Sequence, residues 1–128
     1  MKYLSAQDVL VLHAMIIDAT GGSNGVRDPH LLASVVEKPA ACFGGAELYP
    51  TLWNKAAILF EAVVNYHIFV DGNKRTGLVV VARFLALNGH EFKATNEDSV
   101  VMALRIATKE VTLDVLAEWL AAQSTPIG

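Results

Sequence analysis

The chain has 128 residues and a net charge of −3, with 53% apolar and 18% charged residues. That length reads as one domain, residues 1–128, and the composition excludes an intrinsically disordered chain. The acidic balance lacks the footprint of tight nucleic-acid binding, the lone Cys42 excludes an internal disulfide, and no signal peptide or membrane-spanning run is visible, so a soluble cytoplasmic domain is expected.

In chain order, Ser5 to Asp8 reads as a capping box. It opens a helix whose apolar residues Val9, Leu12, Ile16 and Ile17 recur at helical spacing. Gly21 and Gly22 stop that helix. Asp28-Pro29, an N-cap followed by proline, opens a second helix running to about Val36. Lys38 to Pro50 carries Pro39, Gly44, Gly45 and Pro50, and reads as a loop or short hairpin. Thr51 caps a long helix with Leu52, Ala56, Leu59, Phe60, Val63 and Val64 on one stripe, and His67 is the next position on it. The following helix runs from Asn73, as N-cap, to about Asn88, with Gly89 just beyond its end and Leu78, Val81, Ala82 and Leu85 facing the core. His90 to Lys93 suits a short extended piece. A second capping box, Thr95 to Asp98, precedes Val100, Val101 and Leu104, and Thr112 starts a last helix with Val115, Leu116, Trp119 and Leu120. The expected fold is all-α: about six helices, with a flap or hairpin ahead of the helix that carries the candidate site.

That site is the junction His67-Ile68-Phe69-Val70-Asp71-Gly72-Asn73-Lys74-Arg75. Helix N-termini carry a positive partial charge and favour acidic residues, yet Lys74 and Arg75 occupy this first turn. A bound anion reverses the sign: free backbone amides after Gly72 would cradle it and the two cations would close around it. Asp71 beside such a cradle suits Mg²⁺, which bridges phosphates, and His67 suits the removal of a proton from an incoming hydroxyl. Singly, each residue has a plainer reading. A histidine on an apolar stripe is usually structural, and first-turn cations are usually solvated. His67 and Asp71 as metal ligands lack further histidines or cysteines at regular spacing. His13, His30 and His90 are expected on faces or in loops without a role. Only the combination points to a phosphate-binding turn with a base beside it.

Residues 67–75, HIFVDGNKR, resemble the signature of the Fic/death-on-curing family, H-[PI]-F-x-[DE]-[GA]-N-[GK]-R. The likeness extends to Leu12-His13 through Gly21-Gly22, to FGGAELYP at 43–50 and to ALNGH at 86–90, and so covers nearly the whole chain. It implies a small helical domain that transfers part of a nucleotide, or a phosphate, to a hydroxyl of a target protein. His67 would be the general base, Phe69 the anchor of the loop and Asp71 the Mg²⁺ ligand. Gly72, Asn73 and Lys74 would form the phosphate nest, the Asn73 side chain adding a polar contact, and Arg75 would hold a nucleotide phosphate.

Several positions depart from the nucleotidyl-transferring majority: Ile68 for proline, Lys74 for glycine, and Leu78 where a second arginine stands. The death-on-curing branch shares the lysine, and its implied activity is transfer of the γ-phosphate of ATP to a threonine of elongation factor Tu, arresting translation. Gly72 stands where that branch can carry alanine, a feature kept from the majority, so AMP transfer stays open as an alternative. A non-enzymatic anion- or partner-binding module stays open as another. Phe43 to Pro50 matches the flap that pairs with an extended target segment, a role a plain surface loop also fits. No glutamate is followed by glycine or asparagine, so the family's inhibitory [ST]-x-x-x-E-[GN] motif is absent. Restraint is then expected from an antitoxin whose disordered segment folds onto the domain.

Overall fold

The computed structural model describes every residue from Met1 to Gly128. Ser5 caps α1 (Ala6–Thr20) in a full capping box, its side chain accepting from the Asp8 amide while the Asp8 carboxylate accepts from the Ser5 amide. That second bond holds the Asp8 carboxyl below its ordinary range. The buried face of α1 is Val9, His13, Ile16 and Ile17, so the sequence expectation needs correction: His13 takes the inward place assigned to Leu12, which is half-buried. Asp28 caps α2 (Pro29–Glu37), with proline in its first turn. A 3₁₀ turn at Lys38–Ala40 leads into a two-stranded hairpin, β1 (Cys42–Phe43) and β2 (Ala46–Glu47), which pair antiparallel across Gly44 and Gly45.

Thr51 caps α3 (Leu52–Asn65). From Lys55 to Val64 every residue except Glu61 is buried, which is the pattern of a helix surrounded on all sides rather than of a surface helix with one stripe. The core therefore forms around α3 and draws residues from all six helices. Against it packs α4 (Asn73–Leu87). A Cβ at Gly77 would lie 2.9 Å from the Val64 side chain and 3.3 Å from Phe60, so the missing side chain is what lets α3 and α4 approach. The seam runs through Gly77, Val80, Val81, Phe84 and Leu85. Leu78 and Ala82, expected in the core, stand half-buried at its flank.

The chain then forms β3 (His90–Phe92), α5 (Asn96–Ala107), α6 (Leu113–Ala122) and β4 (Ser124–Pro126). β4 pairs antiparallel with β3 in the register Glu91 to Thr125. It was illegible in the sequence because Ser-Thr-Pro has no strand pattern of its own; pairing with β3 makes it one. On α5 the inward residues are Ser99, Met102, Ala103 and Ile106, while Val100, Val101 and Leu104 face out. No helix is long and apolar enough to cross a membrane.

Candidate functional site

The loop between α3 and α4 does not continue the α3 stripe. The helix ends at Asn65, and His67 follows with a left-handed backbone (φ 51°) and an exposed ring. This corrects the expectation that α3 itself delivers His67, and it removes the plain reading of a structural core histidine. The next two residues turn inward instead: Ile68 and Phe69 are 0% and 1% exposed and join the core. Phe69 thus lies where an anchor of the loop belongs.

A short extended segment before α2 zips the loop in place. The Val70 amide donates to the Gly25 carbonyl (2.9 Å), and the Arg27 and Asp28 amides donate to Ile68 O (2.7 and 3.1 Å). Val26 and Phe69 form an isolated antiparallel bridge. The Arg27 side chain donates from Nε to His67 O at 2.8 Å. Neither Arg27 nor its segment carried a sequence signal, because its contacts, backbone to backbone and from the Arg27 side chain to a carbonyl, join parts of the chain about 40 residues apart.

At the start of α4 the structure reassigns one cap. Asn73 is the first helical residue, not the N-cap; Gly72 caps the helix in a left-handed conformation (φ 78°) that glycine adopts without strain. The Asn73 side chain folds back on the loop, accepting from the Phe69 amide (3.1 Å) and donating to the Phe69 carbonyl (2.9 Å). The polar group that the resemblance assigns to a phosphate is thereby engaged in closing the loop. The first helical backbone bond runs from the Thr76 amide to Gly72 O (2.9 Å). The amides of Asn73, Lys74 and Arg75 have no acceptor in the protein, and the first turn holds no acidic residue. Lys74 is exposed. Arg75 lies near Gly72, donating from Nη1 to Thr20 Oγ1 at the end of α1.

The Asp71 carboxylate accepts from the Gly72 amide through Oδ1 (2.8 Å). Its other oxygen lies against Gly22: a Cβ there would meet Oδ2 at 2.6 Å. The glycine pair read as a helix stop also clears space for this carboxylate. No cluster of three histidine, cysteine or acidic side chains occurs. A lone exposed carboxylate beside free amides suits Mg²⁺, which takes one or two protein carboxylates and completes its shell with phosphates and water.

Asp71, Gly72, Asn73, Lys74 and Arg75 line one cavity of about 290 Å³, walled on its far side by Leu78 and by Val100, Ala103 and Leu104 of α5. Leu78 therefore presents an apolar wall where the majority signature has an arginine. His67 opens onto a second cavity, about 500 Å³, with Tyr66, Ile106 and Lys109. The two cavities share no lining residue, though α5 borders both. The structure thus gathers five of the six candidates around one space and sets the candidate base on the neighbouring one. Beside it, the Tyr66 phenol holds the Lys38 pKa above the ordinary lysine value.

Comparison with known proteins finds a family and two relatives. The sequence model of the Fic/DOC family matches residues 3–85. The protein named Toxin Doc from Mycolicibacterium smegmatis is 38% identical over 122 residues, which span 94% of this chain and 92% of that protein. Protein kinase doc of Escherichia phage P1 is 28% identical over 120 residues, 94% of each chain.

Proposed function

The chain belongs to the Fic/DOC family, and on that premise we propose that it transfers the γ-phosphate of ATP to a hydroxyl side chain of a target protein. The observation that carries this reading is the start of α4, where three unpaired amides and two cations meet with no carboxylate in the turn. Such a turn costs stability unless an anion occupies it. The name of the phage relative, a protein kinase, favours phosphate over nucleotide transfer, as does Lys74 in the place of a glycine.

In this mechanism the amides of Asn73, Lys74 and Arg75 bind phosphate oxygens, and the Arg75 guanidinium neutralises their charge. Asp71 would hold Mg²⁺, which supplies further charge neutralisation on the phosphates. His67 takes the proton of the target hydroxyl. The hydroxyl oxygen forms a bond to the γ-phosphorus, the bond to the bridging oxygen breaks, and ADP leaves. Positioning and charge neutralisation supply the rate in reactions of this class. His67 lines the cavity beside the cradle, and transfer requires the target hydroxyl to reach from His67 to the γ-phosphate held by the amides.

By resemblance, the target is a threonine of elongation factor Tu in the cytoplasm, the result is arrested translation, and Phe43 to Pro50, which holds most of the β1–β2 hairpin, is the flap that docks the target. The toxin name of the mycobacterial relative favours an antitoxin partner, with a disordered segment that folds onto this domain.

A paired label transfer tests the reading. The chain is incubated with Mg²⁺ and a bacterial lysate, with ATP labelled at the α-phosphate in one tube and at the γ-phosphate in the other. His67→Ala runs beside it. The expected result is γ-label on one band, absent with His67→Ala. His67-dependent α-label would replace this reading with AMP transfer, which Gly72 as glycine suits. Label in neither tube would leave a binding module.

A further inference from the structure

Of the four histidines, His13 alone is buried, at 1% exposed. No step of the proposed transfer uses it. Its ring lies flat on Phe69, centroids 3.7 Å apart and planes within 6°, and its Nε2 is 2.8 Å from the Asp71 carbonyl oxygen. A carbonyl only accepts, so Nε2 carries the proton and donates.

That bond falls on the peptide unit that opens the cradle. In a trans peptide the C=O and N–H point in opposite directions. With Asp71 O drawn inward to the buried ring, the Gly72 N–H is turned outward, where it meets the Asp71 carboxylate. One consequence follows. An Asp71 carbonyl aligned with the helix would accept the Arg75 amide in the ordinary i to i−4 bond. Held by His13 instead, it leaves that amide free. Gly72 by itself does not choose, because glycine tolerates either sign of φ and so permits the 71–72 peptide to flip.

We infer that His13 is a positioning residue of the cradle: its Nε2–H fixes the Asp71–Gly72 peptide in the orientation that gives the Gly72 amide to the Asp71 carboxylate and frees the Arg75 amide. The orientation is a property of the fold; its effect on phosphate binding rests on the proposed function above. His13 is 58 residues from Asp71 in sequence and lies on α1, so this contact ties the seat of the cradle to a separate helix.

The test uses the full ¹⁵N-labelled chain and reads the Gly72 amide resonance, which depends on the orientation of the preceding peptide. Wild type is compared with His13→Phe, which keeps a ring against Phe69 but cannot donate, and with His13→Gln, which restores an N–H donor. Each is titrated with MgATP. In wild type the ring resonances should show a proton on Nε2. In His13→Phe the Gly72 resonance should shift or split, and MgATP binding should weaken about tenfold, as expected for loss of one hydrogen bond. His13→Gln should return both toward wild type. A bare Nε2 in wild type, or an unmoved Gly72 resonance in folded His13→Phe, overturns the inference. Should His13→Phe not fold, the wild-type tautomer and His13→Gln decide it. A wild-type chain that does not bind MgATP overturns the proposed function instead, while the Gly72 resonance still decides for or against His13.

Discussion

Gly22 and Asp71 meet across almost fifty residues of chain, and the meeting is close enough to matter for chemistry. Gly22 has φ 118°, a conformation that L side chains rarely adopt, and a Cβ there would lie 2.6 Å from Asp71 Oδ2. The carboxylate is the free end of a side chain, so it can swing away at small cost in stability. What it loses is its place beside the cradle. Gly22→Ala is therefore expected to cost about 1–2 kcal/mol through backbone strain and to weaken the apparent Mg²⁺ affinity in the transfer assay by more than that strain explains. Denaturant unfolding beside a Mg²⁺ titration checks the split; unchanged Mg²⁺ dependence would remove Asp71 from the metal role. The same comparison explains what the sequence hid. HIFVDGNKR announced the acid, the glycine and the cations, because their spacing along the chain is their arrangement in space. Gly22, Arg27, Thr20 and His13 touch that stretch only through the fold, so even where a local pattern marks Gly22 and His13 it does not reveal these contacts.

Among the elements, the β1–β2 hairpin has the least core of its own: its four strand residues are exposed, Phe43 at 81%. It is held by a lysine. Lys55, in the first turns of α3, is 1% exposed, and its three N–H groups find three acceptors. These are the carbonyls of Pro39 and Tyr49, at 2.9 and 2.6 Å, and Glu47 Oε1, at 2.9 Å. Two of those acceptors flank the hairpin and the third sits on β2, so one ammonium pins both its ends and its second strand. A hairpin of two-residue strands is not stable alone. Lys55→Met keeps the buried stem but strands the two carbonyls, and should cost about 1–3 kcal/mol. It should also speed cleavage of residues 41–48 by a broad-specificity protease. Equal cleavage of wild type and variant would mean that the turn geometry alone holds the hairpin. From the sequence, the glycine and proline punctuation was enough to locate this element. Lys55 was not legible as its anchor, since a lysine beside an apolar stripe ordinarily reads as the solvated edge of a helix.

On the scale of the molecule, the cradle exists only when distant parts are assembled. Thr20 and His13 come from α1, the Gly25–Arg27 segment from the approach to α2, the loop's inward pair from the core, and the free amides from α4. Six helices were countable from caps and periodicity, and their order placed the junction between the two that pack most closely. Which faces met was less visible: an α3 buried on all sides from Lys55 to Val64 except at Glu61, and a glycine-mediated seam, both break the one-stripe rule for inward residues. An unfolded chain has no cradle, so a ligand of the cradle binds the native state alone and must raise its stability by mass action. At a hundred times its dissociation constant MgATP adds about 2.7 kcal/mol, which for a chain of this length raises Tm by roughly 10 °C. His67→Ala should keep that shift, because the base takes a proton and holds no phosphate. Arg75→Ala should lose most of it, since the guanidinium and its tie to Thr20 go together. Thermal unfolding with and without MgATP on the three proteins separates binding from transfer. Equal shifts in wild type and Arg75→Ala would place the nucleotide elsewhere on the molecule, and a shift lost in His67→Ala would make His67 a ligand of the nucleotide rather than the base.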